Sequence, residues 1–339
     1  MKIYENEIIF YSEYKSCCKH NCVRQILEYY GFQHSHLLIN TSFNFRIDGS
    51  KDNPINILRE PSEILIGDLN TYLISTDATC KSEEEILKND YNLLNENIPI
   101  ITDVDIFYLP YDKHFQKSNS LHSIIVNKIE NKKAYIVDVG ERTKHVGDID
   151  YKLLLNARRS NNPRGDNIYT GHAIAMKELY IDREISTAQL LHNRSNLYSN
   201  AVYENMKNVS KYYKTDNENE GMKAIVLLRE YLVKVCTCGR MISYEEIENM
   251  YYQLYSINRK RKLFSLSCKI LMENSLFVKN AEILYQLISA CIAIWEKILS
   301  ILLKLRFSSK KDILIGRIVE YMKKIINIDN LVREEIFKV

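Results

Sequence analysis

Past about residue 170 the hydrophobic pattern changes period, and that change limits what the chain can fold into. Before it, apolar runs of strand length sit among turn residues. After it, apolar residues recur every three or four positions over 183–214, 220–237, 243–273, 277–306 and 311–338, which predicts long helices. The expected fold class is α+β, with a mixed domain over 1–170 and an all-α helical domain over 171–339. Ser160-Asn161-Asn162-Pro163-Arg164-Gly165 has the composition of a linker between them. Charge divides in the same way. Residues 1–170 hold 20 Lys and Arg against 24 Asp and Glu, net −4, whereas residues 171–339 hold 26 against 19, net +7. Such a basic helical half suits an acidic partner, although a solvated surface gives the same count.

Within the mixed half, residues 1–14 alternate loosely and suggest an edge strand. From Gly31 to about Asp77, turn residues such as Asp48-Gly49-Ser50 and Glu60-Pro61-Ser62 predict loops with one or two short helices. Ser82-Glu83-Glu84-Glu85 is a capping box that opens a helix, as is Ser243-x-x-Glu246 in the second half. A strand is expected over Ile98–Ile106. Two apolar runs, Leu121–Val126 and Ala134–Asp138, flank Glu130-Asn131-Lys132-Lys133 as in a β-hairpin. The apolar stretch Ile283–Trp295 is too short to span a bilayer and is expected to be a core helix.

Cys17-Cys18-Lys19-His20-Asn21-Cys22 opens a helix whose apolar stripe is Cys22, Val23, Ile26, Leu27 and Tyr30, with Gly31 as its stop. A thiol in the first turn of a helix lies among unpaired backbone N–H groups at the positive end of the dipole, where nucleophilic cysteines are found. Buried helical cysteines are more often small hydrophobes. The Cys17/Cys18/His20/Cys22 spacing matches no usual zinc site, so no metal is expected. Further along, His122 falls near the start of one hairpin strand and Asp138 at the end of the other, which makes them near neighbours in an antiparallel pair. Cysteine, histidine and acid together make a nucleophile, a base and an orienting carboxylate.

These residues carry a family resemblance over roughly residues 14–140. Cys18-x₃-Cys22 followed by Tyr29-Tyr30-Gly31 resembles the opening motif of the C39 (bacteriocin-leader) cysteine peptidases, which have a papain-like fold. Pro99-Ile100-Ile101, His122-x-Ile124-Ile125 and Tyr135-Ile136-Val137-Asp138 resemble that fold's later strands. Asp103-Val104-Asp105-Ile106-Phe107-Tyr108-Leu109-Pro110-Tyr111 is similar to a segment of a narrower group, the N-terminal domain of the butirosin-biosynthesis acyltransferase family. That group includes the amide-forming cysteine-protease homologue of closthioamide assembly. The resemblance implies Cys18 as nucleophile, His122 as base, Asp138 as orienting acid and Cys22 as a structural thiol. Cys17 is the rival nucleophile; Cys18 is preferred because it keeps the thirteen-residue spacing to Gly31.

The resemblance further implies a cysteine-dependent acyltransferase of natural-product biosynthesis. It would move an acyl group from a carrier-protein thioester, through acyl-Cys18, to an amine. The alternative is a C39-type cysteine peptidase or amidase, and a non-catalytic interaction protein is a third reading. Asp105, Tyr108 and Ser12 are the substrate-side candidates. Ser12 stands where C39 enzymes carry a glutamine oxyanion donor, and losing such a donor costs about 10²–10³ in rate. A thioester is more activated than a peptide and tolerates that loss better. No cofactor is expected beyond the carrier's phosphopantetheine. The expected partners are an acyl or peptidyl carrier protein and a small amine, with no nucleic acid and no membrane; a homo-oligomer stays open. Residues 1–7 lack the apolar core of a signal peptide, and eight irregularly spaced cysteines suit reduced thiols, so a cytoplasmic location is expected.

Overall fold

The computed structural model describes residues 18–29, 35–38, 44–50, 55–59, 73–76, 82–139, 143–160, 173–176, 187–273 and 280–337. The chain is α+β and divides into two compact units. The first comprises Met1–Ile39 with Ile64–Tyr198, and the second Asn40–Glu63 with Ser199–Val339. This division differs from a single break at residue 170. A segment of the first half belongs with the helices, and the mixed unit continues to Tyr198.

In the first unit, strands β3 (Leu73–Thr76), β4 (Ile100–Asp105), β5 (Leu121–Glu130), β6 (Lys133–Val139), β7 (Lys144–Asp150) and β8 (Ala173–Met176) form one antiparallel sheet in the order β3-β8-β4-β5-β6-β7. Asn131 and Lys132 join β5 to β6 with φ of 51° and 61°, the double positive φ of a tight two-residue hairpin turn. That turn starts the register, and a bulge at Asn127 shifts it by one residue, which puts Asp138 near the end of β6 on the same face as His122 near the start of β5. β8 pairs with both β3 and β4, so an interior strand of this sheet comes from the part of the chain beyond residue 170 that was expected to be all-helical.

Among the described residues, α1 (Cys18–Tyr29), α2 (Glu83–Asn95) and α3 (Tyr151–Arg158) pack on this sheet. Helix α1 (Cys18–Tyr29) packs on β4, β5 and β6, with Cys22, Val23, Ile26 and Leu27 buried as the stripe predicts. Its remaining face is also enclosed: Arg24 pairs with Glu28 at 2.7 Å and Gln25 donates to the Val139 carbonyl at 3.1 Å. Helix α2 (Glu83–Asn95) begins at Ser82, whose hydroxyl accepts from Glu85 N while Glu85 accepts from Ser82 N. Helix α3 (Tyr151–Arg158) begins at Asp150, whose carboxylate accepts from Lys152 N. Ile86, Ile100, Val104, Ile124, Val126, Ile136, Ile149 and Leu154 unite α2, α3 and β4–β7 in one apolar cluster.

The second unit is a bundle of the C-terminal part of α4 (Thr187–Lys214) with α5 (Gly221–Cys238), α6 (Tyr244–Glu273), α7 (Ala281–Leu305) and α8 (Lys311–Phe337). These bounds lie within a few residues of those read from the period. The capping box at Ser243 and Glu246 is formed, and Gly239 ends α5 in the left-handed region at φ 63°. An antiparallel hairpin of β1 (Phe45–Asp48) and β2 (Asn56–Arg59) packs on α5 and α6, and its Phe45, Ile47 and Ile57 enter the bundle core. In the stretch expected to hold loops and one or two short helices, a short 3₁₀ helix forms over Ser35–Leu38, but β1, β2 and β3 are strands that were not expected, because four-residue strands leave too little alternation to read.

Helix α7 buries Leu284, Ile288, Cys291, Trp295, Ile298, Leu302 and Leu305, alternating steps of four and three that make a seam against α6 and α8. It runs ten residues beyond the apolar stretch expected to be too short, and is long and apolar enough to cross a membrane by length and composition. The expected strand over 1–14 lies outside the described residues.

Asp90 on α2 and Arg158 on α3 form a 2.6 Å ion pair with both side chains almost wholly buried. Removing one member strands the other charge, at a cost of about 3–5 kcal/mol. Asp90→Ala is therefore expected to lower the first unit's stability by that amount in urea unfolding; a loss below about 1 kcal/mol would show that the pair does not hold α2 to α3.

Candidate active site

The first turn of α1 sets the Cys18 thiol beside the start of β5. His122 neighbours Cys18, which helps to favour its charged ring, and its Nε2 lies 2.8 Å from Asp138 Oδ1. With Nε2 engaged by the carboxylate, Nδ1 is the ring nitrogen left for sulfur. The structure thus brings together the three residues expected from sequence as nucleophile, base and orienting acid. They come from α1, β5 and β6, separated by 104 and 16 positions in the chain.

The acid is held from both sides. Asp138 is buried, and its second oxygen accepts a 3.0 Å hydrogen bond from the Tyr111 hydroxyl. Burial, then the neighbouring Asp138 charge, pushes the Tyr111 pKa well above its usual 10, so this phenol stays protonated and donates. Burial also works against a charged His122. Hydrogen bonds and attraction to Asp138 and Cys18 outweigh it and raise its pKa from 6.5 to about 10. At neutral pH His122 is an imidazolium between sulfur and carboxylate.

A second group of polar residues meets Cys18. Its Sγ lies 3.8 Å from Ser123 Oγ, in the geometry of a thiol donating to the hydroxyl. Ser123 donates to Asp103 Oδ1 at 2.6 Å, and Lys19 Nζ reaches the other Asp103 oxygen at 3.0 Å. Asp103 and Ser123 are paired across β4 and β5, one register step from His122. Cys22, a turn along α1, donates to the Ser123 carbonyl at 3.4 Å, a structural use of its thiol.

Beside His122 opens a cleft of about 450 Å³, lined by Tyr111, His114, Leu121 and His145 among others. The Tyr111 and His145 rings stack with centroids 3.9 Å apart and planes 3° from parallel. Burial lowers the His145 pKa, against the pull of Asp138 and Asp148, so the stacked imidazole is neutral at pH 7. Gly147 permits this placement, since a Cβ there would lie 3.3 Å from the His145 ring.

The substrate-side candidates fare differently. Asp105 is fully buried, and Phe107 N, Ser120 N, Asn119 Nδ2 and Ser160 Oγ all donate to its carboxylate. That acid ties together the base of the loop after β4 and has no oxygen turned to the cleft. Tyr108 packs edge-on to Phe107, centroids 5.1 Å apart, against the apolar cluster under the sheet. Neither residue lines the cleft. Ser12 and Cys17 lie outside the described residues. The block Asp103–Tyr111 does serve the site, but through its two end residues. Period-two alternation along β4 and β5 was the available signal for Asp103 opposite Ser123. Nothing in the sequence pointed to His145, because half-buried β7 lacks an apolar run.

No protein-family model matches this sequence, and no curated protein matches it.

The folded pKa of His122, about 10, lies above its unfolded value of 6.5. Its partners' stabilisation is therefore complete below pH 6.5 and is lost as pH rises through 10. Asp138→Asn is expected to lower the His122 pKa in an NMR imidazole titration and to destabilise the fold more at pH 6 than at pH 10. An unmoved titration would mean that Asp138 does not hold His122.

Proposed function

We propose that the first unit is a papain-like, C39-like catalytic domain and that the protein is a cysteine-dependent acyltransferase forming amide bonds. One observation carries this reading: Cys18 at the start of a helix lies beside His122, whose Nε2 is fixed by a buried Asp138. That arrangement suits nucleophilic attack by sulfur on an acyl group. The choice of a thioester donor rests on the residue resemblance described above, with Ser12 in place of the glutamine donor.

In this reading the Cys18 proton resides on His122, and the thiolate attacks the thioester carbonyl of an acyl-pantetheine carried by a partner protein. Collapse of the tetrahedral adduct expels the pantetheine sulfur, which leaves as the thiol with the proton from His122. An acyl-Cys18 thioester remains. An amine then attacks it; His122 takes the amine proton and returns it to the departing Cys18 sulfur. Asp138 stabilises the imidazolium and fixes the ring. The carrier protein and the small amine are the proposed partners, the cytoplasm the proposed location, and no resident cofactor enters the steps.

Intact-mass analysis with an acyl-pantetheine thioester tests this. Wild type is expected to gain one acyl mass, Cys18→Ala to gain none, and His122→Ala to acylate about 10²–10⁴ times more slowly. Amide should form only when an amine is added. Hydrolysis outpacing aminolysis at saturating amine would overturn the transferase reading, and peptide cleavage without any thioester would replace it with a peptidase.

A further inference from the structure

Two carboxylate-backed partners converge on one sulfur, and only one of them belongs to the proposed triad. Around Sγ, β5 supplies His122 and Ser123, β6 supplies Asp138 behind His122, and β4 supplies Asp103 behind Ser123. Helix α1 adds Lys19, paired to Asp103, and Cys22; the loop after β4 adds Tyr111, bound to Asp138.

The Ser123 hydroxyl has a single proton, and the 2.6 Å bond commits it to Asp103. What Ser123 turns toward sulfur is therefore a lone pair. A thiol can donate to it; a thiolate has no proton to give and meets only electron density. Lys19 bonds the opposite oxygen of Asp103, leaving Oδ1 to take the serine proton. We infer that Asp103 sets Ser123 as an obligate acceptor and that Ser123 thereby restrains Cys18 in its protonated form, opposing the pull of His122.

This assignment rests on Cys18 being the nucleophile. It gives Ser123, which touches the reacting sulfur, a direct part in tuning it, and gives Asp103 and Lys19 positioning parts. The charged His122 favours loss of the sulfur proton, and the Ser123 lone pair favours its staying. Sulfur is then less exposed to adventitious electrophiles than it would be beside His122 alone. The arrangement also keeps the Ser123 hydroxyl from acting as an oxyanion donor, because its proton is already spent.

The test is the pH profile of iodoacetamide alkylation at Cys18, read by peptide mass spectrometry so that each thiol is followed separately. Ser123→Ala removes the acceptor and is expected to lower the profile's midpoint by about 0.5–1 pH unit. At pH 6 that is a rate roughly fivefold higher, the size of one ordinary hydrogen bond. Ser123→Thr keeps the hydroxyl and should restore the wild-type midpoint, which loosened packing would not do. Asp103→Leu removes the acceptor and leaves the serine proton free for sulfur, so its midpoint should also fall; it decides the matter if Ser123→Ala does not fold. A midpoint unchanged or raised in Ser123→Ala overturns the inference. Wild-type Cys18 alkylating no faster at pH 6 than exposed Cys238 would instead sink the nucleophile reading beneath it.

Discussion

A carboxylate taken out of water is costly unless charge and hydrogen bonds surround it, and Asp138 is such a carboxylate. One oxygen meets His122 and the other Tyr111. Because both are occupied, the imidazole has a single low-energy orientation, with its other nitrogen presented to Cys18. His145 stacks on Tyr111 in the space that Gly147 leaves open. The order of the site thus extends from one buried charge outward through β5, the loop after β4, and β7.

The segment from Asp103 to Tyr111 reaches the site at both ends and avoids it in the middle. Asp103 stands behind Ser123, and Tyr111 stands behind Asp138. Between them, Asp105 gathers four donors and closes the base of the loop, which is what allows Tyr111 to be held at a fixed place. Asp105 holds backbone, and its own oxygens are used up in doing so.

The helical unit shows the same rule in a setting without a proposed reaction. Arg261 and Asp329 are wholly buried 3.6 Å apart, and the hydroxyls of Tyr212 and Tyr213 also donate to Asp329. Around them the seam of α7 supplies Cys291 and Trp295. Burial pushes the Asp329 pKa up while Arg261 and the tyrosines pull it down, and the balance leaves it raised. Asp329, Tyr212, Tyr213 and Arg261 are thus tied to one another across the bundle.

By itself the sequence determined the elements with strong period or explicit caps: the long helices, the boxes at Ser82 and Ser243, the β5–β6 hairpin, and the stripe of α1. It also singled out Cys18, His122 and Asp138, because a hairpin turn makes strand ends neighbours and a helix start suits a thiol. Tertiary structure alone decided the rest. Short β1 and β2 became strands by resting on α5 and α6, and β8 by entering the sheet between β3 and β4. Half-buried β7, with no alternating pattern, carried His145 to Tyr111. Asp103 and Asp105 are the same residue type two positions apart on one strand, and composition cannot separate them. Their roles diverged because Asp103 met Ser123 across the register while Asp105 fell where the backbone turns, and pairing of that kind exists only once the chain has folded.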